Sequence, residues 1–321
     1  MFNKRLSYFP PPKFLDIPFA GLYISDIAIH CIKFVRKGKE YKIEKYIEKP
    51  IPSGVLTSGQ VNNKEVFVSL LKDLSKELDL NYVKVSLPEE KAYLFTAKIP
   101  IVSQNEIRDA IEKKIEENVP VPPGELLYDY KFVDYATKDY LGIVVSALPI
   151  SVIETYVDVV SSAGLSILSL EIESQAISRA LLSPSQTETV LIIHFGIEKV
   201  GLYVVSDRIV HFTSTINTKG EGKNNPDFLS HEIKKLEKYW SGLKENVDKP
   251  EKKINSIIVC GEKFPDSLVS YLSTNNQMKV LVGNVWTNAF DINTTVPDIS
   301  FVDSLKYAGA IGLALPSDIL I

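Results

Sequence analysis

The sequence predicts a two-lobed α/β protein built on a duplicated unit, with a β-α-β-β-α-β insert carried by the first lobe. Three observations predict it. Residues 21–47 and 190–216 both read as strand–turn–strand–turn–strand, and each run is later followed by a helix. Between them, residues 92–167 carry a compact β-α-β-β-α-β pattern. The chain closes on Tyr307-Ala308-Gly309-Ala310-Ile311-Gly312-Leu313-Ala314-Leu315, small and apolar residues that suit a helix packed very closely on a sheet.

In the first run, residues 21–25, 27–36 and 40–47 are β-like stretches separated by Ser25-Asp26 and Lys37-Gly38-Lys39. Phe67, Leu70, Leu71, Leu74 and Leu78 then share one face at helical spacing. The insert opens with a strand at 92–99. Its first helix starts at Ser103 with Glu106 three residues on, a capping box, and turns Ile107, Ala110, Ile111 and Ile115 inward. Val119-Pro120-Val121-Pro122-Pro123-Gly124 stops that helix. Strands at 127–133 and 142–148 follow, then a helix from Ser151, with Glu154 in the capping position, to Gly164, and a strand at 165–170. A helix at 174–182 leads to Pro184 and the second run, whose strands are 190–195, 200–206 and 208–216.

After a polar loop at 218–227, Leu229, Ile233, Leu236, Trp240 and Leu243 mark a helix at alternating four- and three-residue steps, read as packed on its own sheet, with a partner-binding coiled coil as the competing reading. Residues 254–260 are a buried strand ending at Gly261, 266–272 a helix and 279–282 a further strand. The expected divisions are an extended arm (1–18), first-lobe core (19–91), insert (92–168), first-lobe helix and connection (169–188), second lobe (189–304), and closing helix with tail (305–321).

Composition excludes several classes. The 321 residues carry a net charge of -4, with 45% hydrophobic and 24% charged residues, and Lys and Arg are scattered among Glu and Asp. A nucleic-acid binder would show a basic face. Cys31 and Cys260 each sit in an apolar run and read as reduced core residues. His30, His194, His211 and His231 lack the spacing of a zinc site. Residues 1–17 have no apolar h-region, and no stretch reaches the roughly 18 apolar residues of a membrane span, so a cytoplasmic protein that meets a membrane only through a partner is expected. No G-x-S-x-G, Walker A, H-E-x-x-H or G-x-G-x-x-G motif is present; Gly220-Glu221-Gly222-Lys223-Asn224 has the wrong spacing for a P-loop. Glu89-Glu90, Glu116-Glu117 and Glu171/Glu173 read as solvated or helix-terminal acids.

Four stretches, by order and spacing, carry a resemblance over residues 19–315. They are Gly21-Leu22-Tyr23-Ile24-Ser25; Asn118-Val119-Pro120-Val121-Pro122 with Glu125 and Tyr128-Asp129-Tyr130; Ile193-His194-Phe195-Gly196; and residues 308–315. Together they resemble the PilM family of type IV pilus assembly, on the FtsA/PilM branch of the actin/Hsp70 superfamily. The resemblance implies an actin-like (ribonuclease H-like, duplicated) fold with the FtsA/PilM type of insert. The ending Pro316-Ser317-Asp318-Ile319-Leu320-Ile321 is too short, and not basic enough, for the membrane-binding helix of FtsA.

The resemblance also places a nucleotide cleft at Tyr23, Ser25, His194, Gly196 and Gly261. The superfamily pattern is Asp-x-Gly in both phosphate loops, each Asp holding the water shell of Mg²⁺ and each Gly letting the backbone approach phosphate. Here the loops read Tyr23-Ile24-Ser25 and His194-Phe195-Gly196, and Cys260-Gly261-Glu262 keeps one Gly in the adenosine strand. Both metal-organising carboxylates are missing, and Asp26 stands at the wrong step of its turn. A pseudo-ATPase without catalytic residue or metal is expected. The competing expectation is an actin-like ATPase, with His194 or Asp26 taking over and ATP with Mg²⁺ controlling polymerisation or partner binding. The resemblance further implies a cytoplasmic scaffold that binds the N-terminal peptide of a PilN-like bitopic inner-membrane protein, in a groove between residues 20–80 and 92–167. Pilus motor proteins are further implied partners.

Overall fold

The structure is a computed structural model that describes residues 17–37, 40–133, 140–218, 226–243, 246–247, 252–262, 264, 266–276 and 278–316. Most of the expected arm, the Gly38-Lys39 turn, the Gly220–Asn224 stretch and the tail beyond Pro316 lie outside the described residues.

The first run forms β1 (Ala20–Ile24), β2 (Ala28–Lys37) and β3 (Glu40–Pro50). A small hairpin follows, β4 (Leu56–Thr57) and β5 (Gln60–Val61), then α1 (Lys64–Leu78) and β6 (Tyr82–Leu87). Asn63 starts α1 by accepting from Val66 N–H, and Asp79 ends it in the left-handed region at φ 50°. Phe67, Leu71, Leu74 and Leu78 are its buried stripe. Strand β6 is absent from the sequence reading, because Lys84 and Ser86 interrupt its hydrophobic run.

Next come β7 (Tyr93–Pro100), α2 (Ile107–Asn118), β8 (Leu126–Val133), β9 (Tyr140–Pro149), α3 (Ile150–Ser162) and β10 (Ser166–Ile172). The chain order is the expected β-α-β-β-α-β, but the unit is not one body. Strands β7, β9 and β8 form a separate three-stranded sheet, whereas β10 pairs in parallel with β6 in the first-lobe sheet. Helix α3 buries Tyr156, Val159 and Val160 in the first-lobe core beside Phe67 and Leu71. The insert proper is therefore 93–149 rather than 92–168, because the apolar face of α3 matches that of α1 rather than the insert core of Ile99, Ile111, Ile115 and Val145. The Ser103/Glu106 capping box is present. The one expected at Ser151/Glu154 is not: Pro149 is the N-cap of α3 and no side chain caps it.

Helix α4 (Glu173–Leu181) leads into β11 (Val190–Phe195), β12 (Lys199–Ser206) and β13 (Ile209–Asn217), then α5 (Pro226–Gly242), β14 (Ser256–Gly261), α6 (Asp266–Asn276), β15 (Lys279–Val282), α7 (Phe301–Ser304) and α8 (Ala308–Ala314). The two five-stranded sheets have the same plan. Their orders are β10-β6-β1-β2-β3 and β13-β12-β11-β14-β15. In each, three consecutive antiparallel strands are extended by two parallel ones from the strand that opens the unit. The duplication is thus one of topology, with β1 and β11 as equivalent central strands.

Helices α4 and α8 fill the space between the sheets, where Ala176, Ile177 and Ala180 meet Ala308, Ala310 and Ile311. Helices α1 and α3 cover the far face of the first sheet, and α5 and α6 that of the second. The small residues of α8 are needed for contact. A Cβ on Gly312 would stand 1.7 Å from the Ala176 carbonyl oxygen, and one on Gly21 of β1 2.0 Å from that of Ala310. Lys84 Nζ donates to the Leu315 carbonyl at the end of α8, satisfying a helix-terminal acceptor.

Candidate functional site: the cleft between the lobes

The opening strands β1 and β11 run toward the same crevice, a cleft of about 500 Å³. From the first lobe Tyr23, Ser25, Asp26, Ser58 and Glu90 line it; from the second, His194, Gly196, Lys199 and Glu262. Four of the five residues expected here from sequence, Tyr23, Ser25, His194 and Gly196, are on its wall. Gly261 lies just beneath. Its φ of +105° and a Cβ position 2.2 Å from the Phe195 carbonyl oxygen exclude any side chain there, which lets Glu262 N–H reach the same oxygen at 2.6 Å.

The two loops differ in detail. Ser25 closes the β1–β2 turn: its N–H and hydroxyl both donate to the Ala28 carbonyl, at 3.0 and 2.9 Å. Asp26 turns away to the β4–β5 hairpin, where its two carboxylate oxygens accept from Ser58 N–H at 2.8 Å and Gly59 N–H at 2.9 Å. Ser58 and Gly59 both have positive φ, so the acid holds a strained turn. In the second loop, Gly196 N–H donates to the Lys199 carbonyl at 2.8 Å, which brings the Lys199 side chain onto the cleft wall.

Tyr23 and His194, the equivalent positions of the two units, touch. Their rings meet edge to face at a centroid distance of 5.9 Å, and both residues are buried, 3% and 5% exposed. Where the superfamily pattern puts two acids facing water and metal, this chain has an aromatic contact at the base of the cleft.

Beneath that contact lies a charged cluster that sequence reasoning missed. Glu173, at the start of α4, is buried and accepts from the Tyr203 hydroxyl at 2.6 Å and from His194 Nδ1–H at 3.1 Å. Lys199 Nζ lies 2.8 and 3.0 Å from the carboxylate oxygens of Glu90. Burial alone would raise the Glu173 pKa. The Lys199 charge, then the His194 and Tyr203 hydrogen bonds, outweigh it and hold the acid down at about 2. Burial works against Lys199 too, but Glu173 and Glu90 together push its pKa above the ordinary lysine value. Burial and the Glu173 charge push the Tyr23 phenol far up, so it stays neutral. Glu89, one residue before Glu90, receives Ser174 N–H at 2.9 Å, and burial followed by the nearby Glu173 charge raises it to about 7.

The expectation of solvated or helix-terminal acids holds by position at Glu89 and Glu173, which each open a helical turn, but neither is solvated, at 4% and 3% exposed; Glu116 and Glu117 are solvated. In the fold, Glu173 directly follows β10 and Glu89 stands two residues after β6, both strands of the first sheet, and the sequence reading had no β6 to mark the second position. The cysteines are buried thiols, as expected. No helix among the described residues is long and apolar enough to cross a membrane.

The residues present do not match Mg²⁺-triphosphate chemistry. Neither opening strand supplies a carboxylate, Asp26 has both oxygens committed, and His194 is bound to Glu173. The lining has Asp26, Glu90, Glu198 and Glu262 against Lys199 and Lys306, a surplus of negative charge that opposes a polyphosphate.

Comparison with known proteins gives three findings. The family model described as type IV pilus assembly protein PilM matches residues 21–226. No curated protein sequence matches the chain. Among solved structures, the chain is similar to the PilM-PilN type IV pilus biogenesis complex at 16% identity, over 93% of this chain and 98% of that one, with a TM-score of 0.76. It is also similar to the cytoplasmic domain of EpsL, an inner-membrane component of the type II secretion system of Vibrio cholerae, at 8% identity, over 86% of this chain and 100% of that one, with a TM-score of 0.48. A third likeness is to the ethanolamine utilization protein EutJ of Carboxydothermus hydrogenoformans, at 13% identity, over 95% and 90% of the two chains, with a TM-score of 0.49. The fold is actin-like, the family match takes in both opening units with Tyr23 and His194, and the chain belongs to the PilM family of type IV pilus assembly proteins.

Proposed function

We propose that this chain is a scaffold of the type IV pilus assembly platform that holds a PilN-like membrane protein by its N-terminal peptide and does not hydrolyse ATP. The observation that carries the second half is the filled base of the cleft. Tyr23 and His194 occupy the two metal-organising positions, and Lys199 on the same cleft wall is paired with Glu90. Metal-assisted phosphoryl transfer draws several kcal/mol of barrier reduction from a hard cation held by carboxylates and water. A phenol and an imidazole bonded to Glu173 do not provide that site.

Peptide capture needs no such chemistry. Family membership supports it, as does the similar chain seen in the PilM-PilN complex. A crevice runs where the insert meets the body, lined by Asp129 and Lys131 of β8, Ser146 of β9, Gln175 and Arg179 of α4, and Arg208 of the β12–β13 turn. This seam, rather than one against residues 20–80, is the place proposed for the peptide. With no membrane span among the described helices, recruitment to the inner face of the membrane would run through that partner.

A nucleotide-controlled reading keeps one observation in its favour, the size of the cleft, which falls in the range of small-molecule sites. One pair of titrations separates the two. Calorimetry with Mg-ATP is expected to give no binding, while the N-terminal peptide of the PilN-like protein is expected to bind. Tight Mg-ATP binding with turnover overturns the pseudo-ATPase half, and failure of the peptide to bind overturns the scaffold half.

A further inference from the structure

Border strands with free backbone groups invite pairing with another chain, and proteins shield them with bulges, lysines, short length or cover. Among the described residues, the borders other than β8 are shielded in those ways. Strand β10 slips register between Ile167 and Ser169. Strand β3 slips against β2, ties Tyr41 N–H to the Ala289 carbonyl, and carries Lys42, Lys45 and Lys49. Strand β15 has four residues. Strands β13 and β7 pack against each other across the insert junction.

Strand β8 has no bulge, is not short, and carries a single lysine, Lys131. It runs for eight residues in unbroken register with β9, from Leu126 opposite Pro149 to Val133 opposite Gly142. Among the described residues it has no partner on its other side. Two large apolar residues stand out from it, Leu127 at 58% and Phe132 at 50% exposure. Its charges are one acid and one base, Asp129 and Lys131, placed symmetrically about Tyr130.

We infer that β8 is a self-association edge: two copies of this chain pair their β8 strands antiparallel about a two-fold axis through Tyr130. An isologous contact must be its own complement, and this strand is. Pairing about Tyr130 sets Asp129 of each copy opposite Lys131 of the other, Leu127 opposite Val133, and Tyr128 opposite Phe132. A lysine on a border strand normally repels an incoming strand; here the acid two residues earlier neutralises it across the axis. Alternate residues of such a strand turn their N–H and C=O outward. In the single chain, Tyr130 N–H is met by its neighbour's carboxylate, Asp129 Oδ1, at 2.8 Å. Pairing replaces that contact by Tyr130 N–H to the Tyr130 carbonyl of the second copy and frees Asp129 for Lys131. The result is one continuous sheet, β7-β9-β8 followed by the same strands in reverse.

The inference is independent of the pseudo-ATPase reading; because Asp129 and Lys131 also line the seam proposed for the peptide, it is tested on the whole chain without peptide, by analytical ultracentrifugation over a dilution series. A concentration-dependent dimer is expected. Asp129→Lys and Lys131→Asp each create like-charge pairs on both sides of the axis and are expected to weaken the dimer about tenfold or more. An equimolar mixture of the two variants restores opposite pairs and is expected to recover a heterodimer. Both positions are exposed, and circular dichroism verifies that each variant is folded. A wild-type chain that stays monomeric at its highest soluble concentration overturns the inference. So does a dimer indifferent to both variants. Amide protection of β8 that arises only when the PilN-like peptide is added to a monomer also overturns it, and assigns the edge to that peptide.

Discussion

Replacing Lys199 by Met tests whether the second lobe is locked onto the first by charge. In the native protein Lys199 Nζ is 2.8 Å from Glu90, and its charge is the foremost influence holding Glu173 at about 2 against burial. Glu173 ordinarily titrates near 4.5, so its depression by roughly 2.5 units corresponds to about 3 kcal/mol of folding free energy. That contribution is complete above pH 4.5 and is lost as pH falls toward 2. Removing one member of a buried pair independently costs about 3–5 kcal/mol, because it strands the other charge. Lys199→Met is therefore expected to lower stability at pH 7 by about 3 kcal/mol. The pH dependence also weakens. With Lys199 gone, burial loses its largest counterweight and the Glu173 pKa rises from about 2, so the variant loses less stability than the native protein as pH falls from 4.5 toward 2. The gap between variant and native stabilities should narrow over that interval, and Lys199→Arg should restore most of the loss. A gap of the same size at every pH would refute the reasoning, as would a Met variant as stable as the native protein.

Two other outcomes follow from buried groups. Gly312→Ala sets a methyl carbon 1.7 Å from the Ala176 carbonyl oxygen, so α8 must shift away from α4; a loss of about 1–3 kcal/mol is expected in urea denaturation, and an unchanged midpoint would show that the helices are not in contact. Burial lowers the His30 pKa to about 4, so its folded form stays neutral while the unfolded chain takes up a proton near 6.5; stability from this residue is present above pH 6.5 and lost toward pH 4. His30→Gln should flatten the fall in melting temperature over that interval, and an identical fall in both proteins would remove His30 as its cause.

The duplicated opening units were legible because alternation and short turns are local features, and because β1–β3 and β11–β13 pair mainly with their sequence neighbours. Strand β6 was not legible: Lys84 and Ser86 face the closing helix and the β1 backbone, where Lys84 donates to the Leu315 carbonyl and Ser86 accepts from Ile24 N–H. The break between the insert and α3 was invisible for a related reason. A β-α-β-β-α-β order does not say which sheet its last strand joins, and β10 is placed by the Tyr82–Leu87 strand that the sequence reading omitted. At the cleft, Tyr23 and His194 could be found because each ends a recognisable strand. The acids could not. Lys199 and Glu90 are 109 residues apart, and Glu173 reads as an ordinary helix-opening acid until Tyr203 and His194 are folded over it.

Helix α8 lies against β1, with Ala310 touching Gly21, although nearly the entire chain separates them. On a translating ribosome, one face of β1 must wait until α8 has been made before it is covered. The α1 side of that sheet can close early, while the α4 side stays greasy and accessible until residues 308–314 emerge. Consolidation of this core is thereby tied to synthesis of α8, and a nascent chain stalled before residue 308 would expose the apolar surface that chaperones bind.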